Sequence, residues 1–243
     1  IMEEMIETLK LRGPDSGGVK PYDHAIIGHR RLTIVDPTGG YQPMIKKIGN
    51  REYTICYNGE LYNTAEIRSE LESDFDFETS SDTEVVLKAY VKWKAECVEK
   101  FNGIFAFAVW DEYDKKLFVA RDRIGVKPFF YFVNNRKFIF ASEIPALLEH
   151  PEIPHEIDEK SVAELLLMFP SRTAGYGVIR NINELKAGYF GFYSENGFET
   201  HQYWRMKAYE LNETFEETVE HTRELVADSI KRQLVSDVPV CTF

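Results

Sequence analysis

The 243-residue chain is 44% hydrophobic, enough to bury a substantial core in one large domain or one domain with an appendage. Against 40 Asp and Glu stand 29 Lys and Arg, a formal charge of −11, and no basic run tracks phosphates, which argues against a nucleic-acid partner. The longest apolar stretches, Ile104–Trp110 and Phe129–Val133, are too short to span a bilayer and no cleavable leader opens the chain, so we read it as cytoplasmic and without a membrane partner.

The chain begins with Ile1 and passes at once into a helical pattern with Met2, Met5, Ile6 and Leu9 on one face, from which we expect further chain upstream. Short β-rich runs follow at His24–Gly28, Tyr53–Tyr57, Ile104–Trp110, Leu117–Ala120, Phe129–Val133 and Phe138–Ala141. Asp111–Lys116 and Asn134–Lys137 read as hairpin turns, which makes the runs they join antiparallel neighbours. Ile104–Trp110 is apolar throughout, so both its faces should be covered. Two helices interrupt the strands. One starts near Asn63 and carries Ile67 and Leu71; the other opens on the capping-box pattern Ser81-Asp-Thr-Glu84 and continues through Val86, Tyr90, Trp93 and Cys97 on one face. Strands with helices outside them predict an α+β fold, a four-layer α/β/β/α sandwich of two antiparallel sheets.

Beyond Glu143 the pattern gives short helices at Ile144–Leu148 and Ser161–Met168, a glycine-containing loop at Thr173–Val178 and a strand at Tyr189–Tyr193. A long amphipathic helix follows Tyr209, capped by Thr214-Phe-Glu-Glu217, with Phe215, Val219, Val226, Ile230 and Leu234 as its apolar stripe. Val238–Phe243 reads as a buried strand, and chain is expected to continue past it. We place a boundary near residue 200, giving a first domain over 1–205 and the start of a second over 206–243.

Cys56, Cys97 and Cys241 are odd in number and far apart, which argues against a disulfide framework, and they show no metal-ligand spacing. The six histidines are unpaired in sequence and read as surface or edge residues, so no metal site is expected. Four short motifs stand out instead: Arg12-Gly-Pro-Asp-Ser16, His29-Arg-Arg-Leu-Thr-Ile-Val-Asp36, Tyr57-Asn-Gly-Glu-Leu-Tyr-Asn63 and Ser80-Ser-Asp82. On propensity alone Asn58-Gly59 is a tight turn; its functional reading is a side-chain amide N–H and a backbone N–H donating to one developing oxyanion. Arg31 is either a solvated flank residue or a planar fork for a carboxylate, and Asp82 either a first-turn helix acid or a partner for an ammonium group. Together these groups would suit a free amino-acid amide, with the nucleophile unassigned.

Arg12-Gly-Pro-Asp, Arg31-Leu-Thr-Ile-Val-Asp, Asn58-Gly-Glu-Leu-Tyr-Asn and Ala120-Arg-Asp-Arg-Ile-Gly-Val-Lys-Pro128, in that order, resemble the glutaminase domain of glutamine-hydrolysing asparagine synthetases. The resemblance implies an N-terminal-nucleophile hydrolase fold whose first residue is a cysteine, followed by an ATP-pyrophosphatase-type synthetase domain that binds ATP and Mg2+ and amidates aspartate. It also implies roles. Arg31 would hold the glutamine carboxylate, Leu32, Thr33, Ile34 and Val35 would line the pocket, Asn58 and Gly59 would form the oxyanion hole, and Glu60 and Asp82 would hold amide and ammonium groups. A homodimer would fit the family, although no residue marks an interface. One departure is plain: no cysteine precedes Cys56, so the nucleophile is expected upstream of Ile1. Cys56 and Cys97 read as small core residues. Two other readings stay open, an amidotransferase of this type with a different acceptor and a non-catalytic relative that binds glutamine.

Overall fold

A computed structural model describes residues 1–234 and 236–237. The expected strand at Val238–Phe243 lies outside the described residues. Among the described residues, eleven strands and seven α-helices follow one another. Helix α1 (Met2–Thr8) precedes a hairpin of β1 (Ser16–Pro21) and β2 (Ile26–Arg31), and a second hairpin joins β3 (Met44–Ile48) to β4 (Arg51–Leu61). Helices α2 (Thr64–Leu71), α3 (Asp82–Trp93) and α4 (Cys97–Lys100) lead into β5 (Gly103–Asp111) and β6 (Lys116–Arg121). Strands β7 (Phe130–Val133) and β8 (Phe138–Ala141) follow, then α5 (Ile144–Leu148), α6 (Glu159–Ala163), β9 (Ile182–Glu184), β10 (Tyr189–Ser194), β11 (Gly197–Gln202) and α7 (Phe215–Gln233).

Alternation along the strands separates four layers. In β5, Phe105, Phe107 and Val109 enter one apolar cluster with Val85, Val86 and Tyr90 of α3, whereas Ala106, Ala108 and Trp110 enter another with Ile27, Phe129 and Leu185. Strand β7 shows the mirror pattern: Phe130 and Phe132 meet Met5, Ala146 and Leu147, while Tyr131 turns to the inter-sheet cluster. The order is therefore α2–α4, the six-stranded antiparallel sheet β11-β10-β6-β5-β4-β3, the layer of β1-β2 and β8-β7-β9, then α1 and α5. The α/β/β/α sandwich expected from the sequence is the fold observed.

Both hairpin turns are present. Asp111 and Asn134 each turn a side-chain oxygen onto the two N–H groups that follow in the loop, which is why these polar links bend where they do. Three local expectations change. The strand expected over His24–Gly28 runs Ile26–Arg31, because Tyr22 and Ala25 close the β1–β2 turn. Ser81 caps α3 through the N–H of Thr83, but Glu84 does not reach back; it accepts from Glu78, Thr79 and Lys88 instead. Helix α6 is short and continues as a π-helical turn over Glu164–Met168.

Helix α7 carries its Thr214–Glu217 capping box as expected. Its apolar stripe is exposed, from Val219 at 39% to Phe215 at 79%.

Candidate active site

Ile27, His29 and Arg31 recur at every second position of β2 and share its inward face. Ile27 joins the inter-sheet cluster, His29 Nε2 lies 3.2 Å from the carbonyl of Tyr57 on β4, and Arg31 is buried. Of the residues expected to form a site, Arg31, Leu32, Ile34, Val35, Asn58, Gly59, Glu60 and Asp82 all line one cavity of about 1500 Å³ between the two sheet layers. Thr33 lies outside that lining, and its N–H donates to Asp15 Oδ2 at 2.7 Å.

The register of the six-stranded sheet decides what Asn58 and Gly59 can do. They are not a turn: both sit inside β4, Asn58 opposite Ala106 and Gly59 opposite Phe105. Phe105 spends its backbone groups on the β6 side, its carbonyl accepting from Asp122 N–H at 2.8 Å and its N–H donating to Asp122 Oδ2 at 3.3 Å. In an antiparallel ladder a residue's N–H and C=O point to the same edge and successive residues alternate. Tyr57 and Gly59 therefore aim their N–H and C=O away from β5, toward the β3 side.

At Tyr57 that side is filled by a side chain. Strand β3 begins only at Met44, and Gln42 takes the place of a strand neighbour: its Oε1 accepts from Tyr57 N–H at 2.6 Å and its Nε2 donates to Tyr57 O at 2.9 Å. Gly59 lies one repeat farther on, and no hydrogen bond to its N–H is present among the described residues. A Cβ at Gly59 would fall 2.4 Å from the carbonyl oxygen of Ile104, so glycine is required here by the close approach of β5. The Asn58 side chain points to the cavity face, and its Nδ2 is buried with no partner. Two adjacent N–H donors are thus held on a rigid strand and left unengaged.

Arg31 is 6% exposed and pairs with no protein carboxylate among the described residues. Its Nη2 donates to the carbonyls of Val35 at 2.9 Å and Asp36 at 2.7 Å, which fixes the guanidinium plane while leaving the rest of the fork free of protein acceptors among the described residues. A Cβ on Gly40 would lie 2.4 Å from that same Nη2, so the loop closes tightly around it. Asp82 opens α3 and accepts from Leu61 N–H at 3.2 Å; burial raises its carboxyl above the usual range. The Tyr57 hydroxyl faces Asp82 without a hydrogen bond of acceptable geometry.

His29 corrects the reading of the histidines as surface groups. Burial lowers its ring to about 4, so it is neutral, and its Nδ1, like Tyr57 Oη and Asn58 Nδ2, is a buried atom without a partner. The residues that carry the unsatisfied buried side-chain atoms among the described residues, His29, Tyr57 and Asn58, all line this cavity. Cys56 lines the cavity too, but burial pushes its thiol up to about 12, and Cys97 is likewise buried and raised. Neither is poised as a thiolate nucleophile. Among the described residues no cluster of His, Cys, Asp and Glu is placed to hold a metal, and no helix is long and apolar enough to cross a membrane.

Residues 1–204 match the glutamine amidotransferase domain family. The chain belongs to this family. Over 243 residues it is 46% identical to asparagine synthetase [glutamine-hydrolyzing] 3 of Bacillus subtilis, covering all of this chain and 40% of the relative. It is 28% identical over 239 residues to asparagine synthetase B [glutamine-hydrolyzing] of Escherichia coli, covering 97% of this chain and 37% of that one. Among solved structures, glutamine phosphoribosylpyrophosphate amidotransferase from B. subtilis superposes with a TM-score of 0.53 at 21% identity, over 74% of this chain and 35% of that one. This amidotransferase domain therefore has the N-terminal-nucleophile fold and spans half or less of the length of these curated relatives.

The sequence reading of the amidotransferase domain missed Gln42, Asp36 and His29. For His29 a signal existed: the Ile27-x-His29-x-Arg31 alternation puts it on the buried face. Gln42 acts only because β3 stops short of it, which nothing local announces.

Proposed function

We propose that the chain is the glutaminase part of a glutamine-hydrolysing asparagine synthetase. The carrying observation is one cavity lined by a buried Arg31 without a carboxylate partner and by two donors, Asn58 Nδ2 and Gly59 N–H, without an acceptor, among the described residues. An unpaired buried cation is costly unless an anion arrives to meet it. Glutamine supplies a carboxylate for Arg31 and an ammonium for Asp82 and Glu60, which leaves its side-chain carbonyl for the Asn58–Gly59 donors. The apolar walls of Leu32, Ile34 and Val35 suit its methylenes.

In this reading a cysteine carried on chain upstream of Ile1 is the nucleophile. Strands β2 and β8 are edge strands of their sheets and both line the cavity, so an extended segment between them would bring a thiolate to the donors. The thiolate attacks the amide carbon, the carbonyl oxygen becomes an oxyanion held by Asn58 and Gly59, and the C–N bond breaks as the cysteine's α-ammonium protonates the leaving nitrogen. Water then hydrolyses the thioester to glutamate and regenerates the thiol.

The ammonia released would amidate aspartate in a second domain that binds ATP and Mg2+, of which residues 206–243 are the opening. The names and lengths of the relatives support this assignment. A diazoketone analogue of glutamine applied to the full-length protein tests it. The expected result is one covalent adduct, on an N-terminal cysteine, suppressed by glutamine. No adduct, or an adduct on Cys56 or Cys97, would contradict it.

A further inference from the structure

The far end of the described chain returns to the loop that orients Arg31. Asp237 N–H donates to the carbonyl of Ile34 at 3.1 Å, and Asp237 Oδ2 accepts from Asp36 N–H at 2.9 Å. The two bonds bracket Val35 as a neighbouring strand would, one through the backbone and one through the side chain. Asp36 is anchored on its other side as well: Gly39 and Ser80 N–H donate to its carboxylate at 2.8 and 2.9 Å, and its φ of 48° is one that few residues other than glycine adopt without such support.

The carbonyls that aim the Arg31 guanidinium are those of Val35 and Asp36. Two of the backbone groups beside them, Ile34 C=O and Asp36 N–H, are taken by Asp237. A separate tie holds the end of α7 nearby, with Arg232 Nη1 2.9 Å from Glu66 Oε1 on α2.

We propose that Asp237 is a positioning residue for the glutamine site, latching the Leu32–Asp36 loop so that Arg31 presents its free edge to the substrate carboxylate. This rests on the reading of Arg31 given above. Because Asp237 follows α7, in the segment assigned to the second domain, a shift of that segment changes glutamine affinity without touching the oxyanion donors. The latch is thereby a physical link between the two parts of the protein.

The test uses full-length protein and two variants. Asp237→Ala should raise the KM for glutamine about 3- to 10-fold, the scale of one lost hydrogen bond, while kcat at saturation holds because Asn58 and Gly59 are undisturbed. Asp237→Asn keeps an acceptor for Asp36 N–H and should restore KM to within about 2-fold on the same scale. Hydrogen exchange over Leu32–Asp36 should quicken in Asp237→Ala and not in Asp237→Asn. A wild-type KM in Asp237→Ala, or unchanged exchange in that loop, overturns the latch. A wild-type protein that does not hydrolyse glutamine would instead defeat the underlying reading, and the exchange measurement would still decide the latch.

Discussion

Two groups of buried charge, one packed along α3 and one lining the cavity, differ in one respect. On the helix side, Glu84 is 0% exposed; burial alone would raise its carboxyl, yet Lys88, Thr79 and the N–H of Glu78 bring it down to about 2. Lys88 is itself buried, and Lys46 lies 3.3 Å from the same carboxylate. Each charge there has a counter-charge. At the cavity, among the described residues, Arg31 has backbone carbonyls and the Tyr41 ring but no carboxylate, and Asp82 accepts from Leu61 N–H, with its carboxyl raised by burial. The first group is complete as folded and serves stability; the second is left without counter-charges among the described residues, which under the proposed function a zwitterion would supply. Burial is common to both, so the missing partner distinguishes a site from a strut.

Breaking the complete group should cost the most. Glu84→Ala strands Lys88 in the interior and should destabilise the fold by about 3–5 kcal/mol, read by chemical denaturation, with the activity of the folded fraction unchanged. A loss under about 1 kcal/mol, the scale of an exposed pair, would mean that water reaches the pair. Asn58→Ala should slow glutamine hydrolysis by about 100-fold or more with little change in melting temperature, since the amide it removes has no partner to lose. A rate within a fewfold of wild type would return Asn58 to a purely structural role.

Asp82→Asn sharpens the contrast through pH. The folded carboxyl titrates above its unfolded value of 3.8, so between the two the folded state binds its proton more tightly and stability falls as pH rises. Above that window the ionised group is a cost that Asn removes. Melting at pH 7 should therefore rise by about 2–4 °C in Asp82→Asn, the gain shrinking near pH 4, while glutamine binding weakens. Equal shifts at both pH values would show that the carboxylate's charge is not the cause.

Much of the fold is legible in the sequence. The β5–β6 and β7–β8 hairpins follow from their turn residues, and the motifs singled out in the sequence bring Arg31, Asn58 and Asp82 to one cavity. Strands β1, β3, β9 and β11 were not visible, because runs such as Ser16-Gly-Gly-Val-Lys-Pro21 have little strand propensity and are set by pairing. Asn58-Gly59 looked like a turn because the dipeptide's local preference is blind to register; only the ladder with β5 shows which edge Gly59 faces. Glu84 looked like half of a capping box because spacing cannot reveal that a lysine one turn later competes for it. Asp237 could not be connected to Asp36 at all, since 201 residues separate them.

The central claim is that Arg31 is buried to receive the α-carboxylate of glutamine. The most direct measurement is a cycle on full-length protein comparing glutamine with its α-amide, which lacks that charge, in wild type and Arg31→Ala. Wild type should favour glutamine in kcat/KM by about 10- to 150-fold, the worth of a charge-assisted hydrogen bond, and Arg31→Ala should lose most of that preference. The same preference in both proteins would contradict the account.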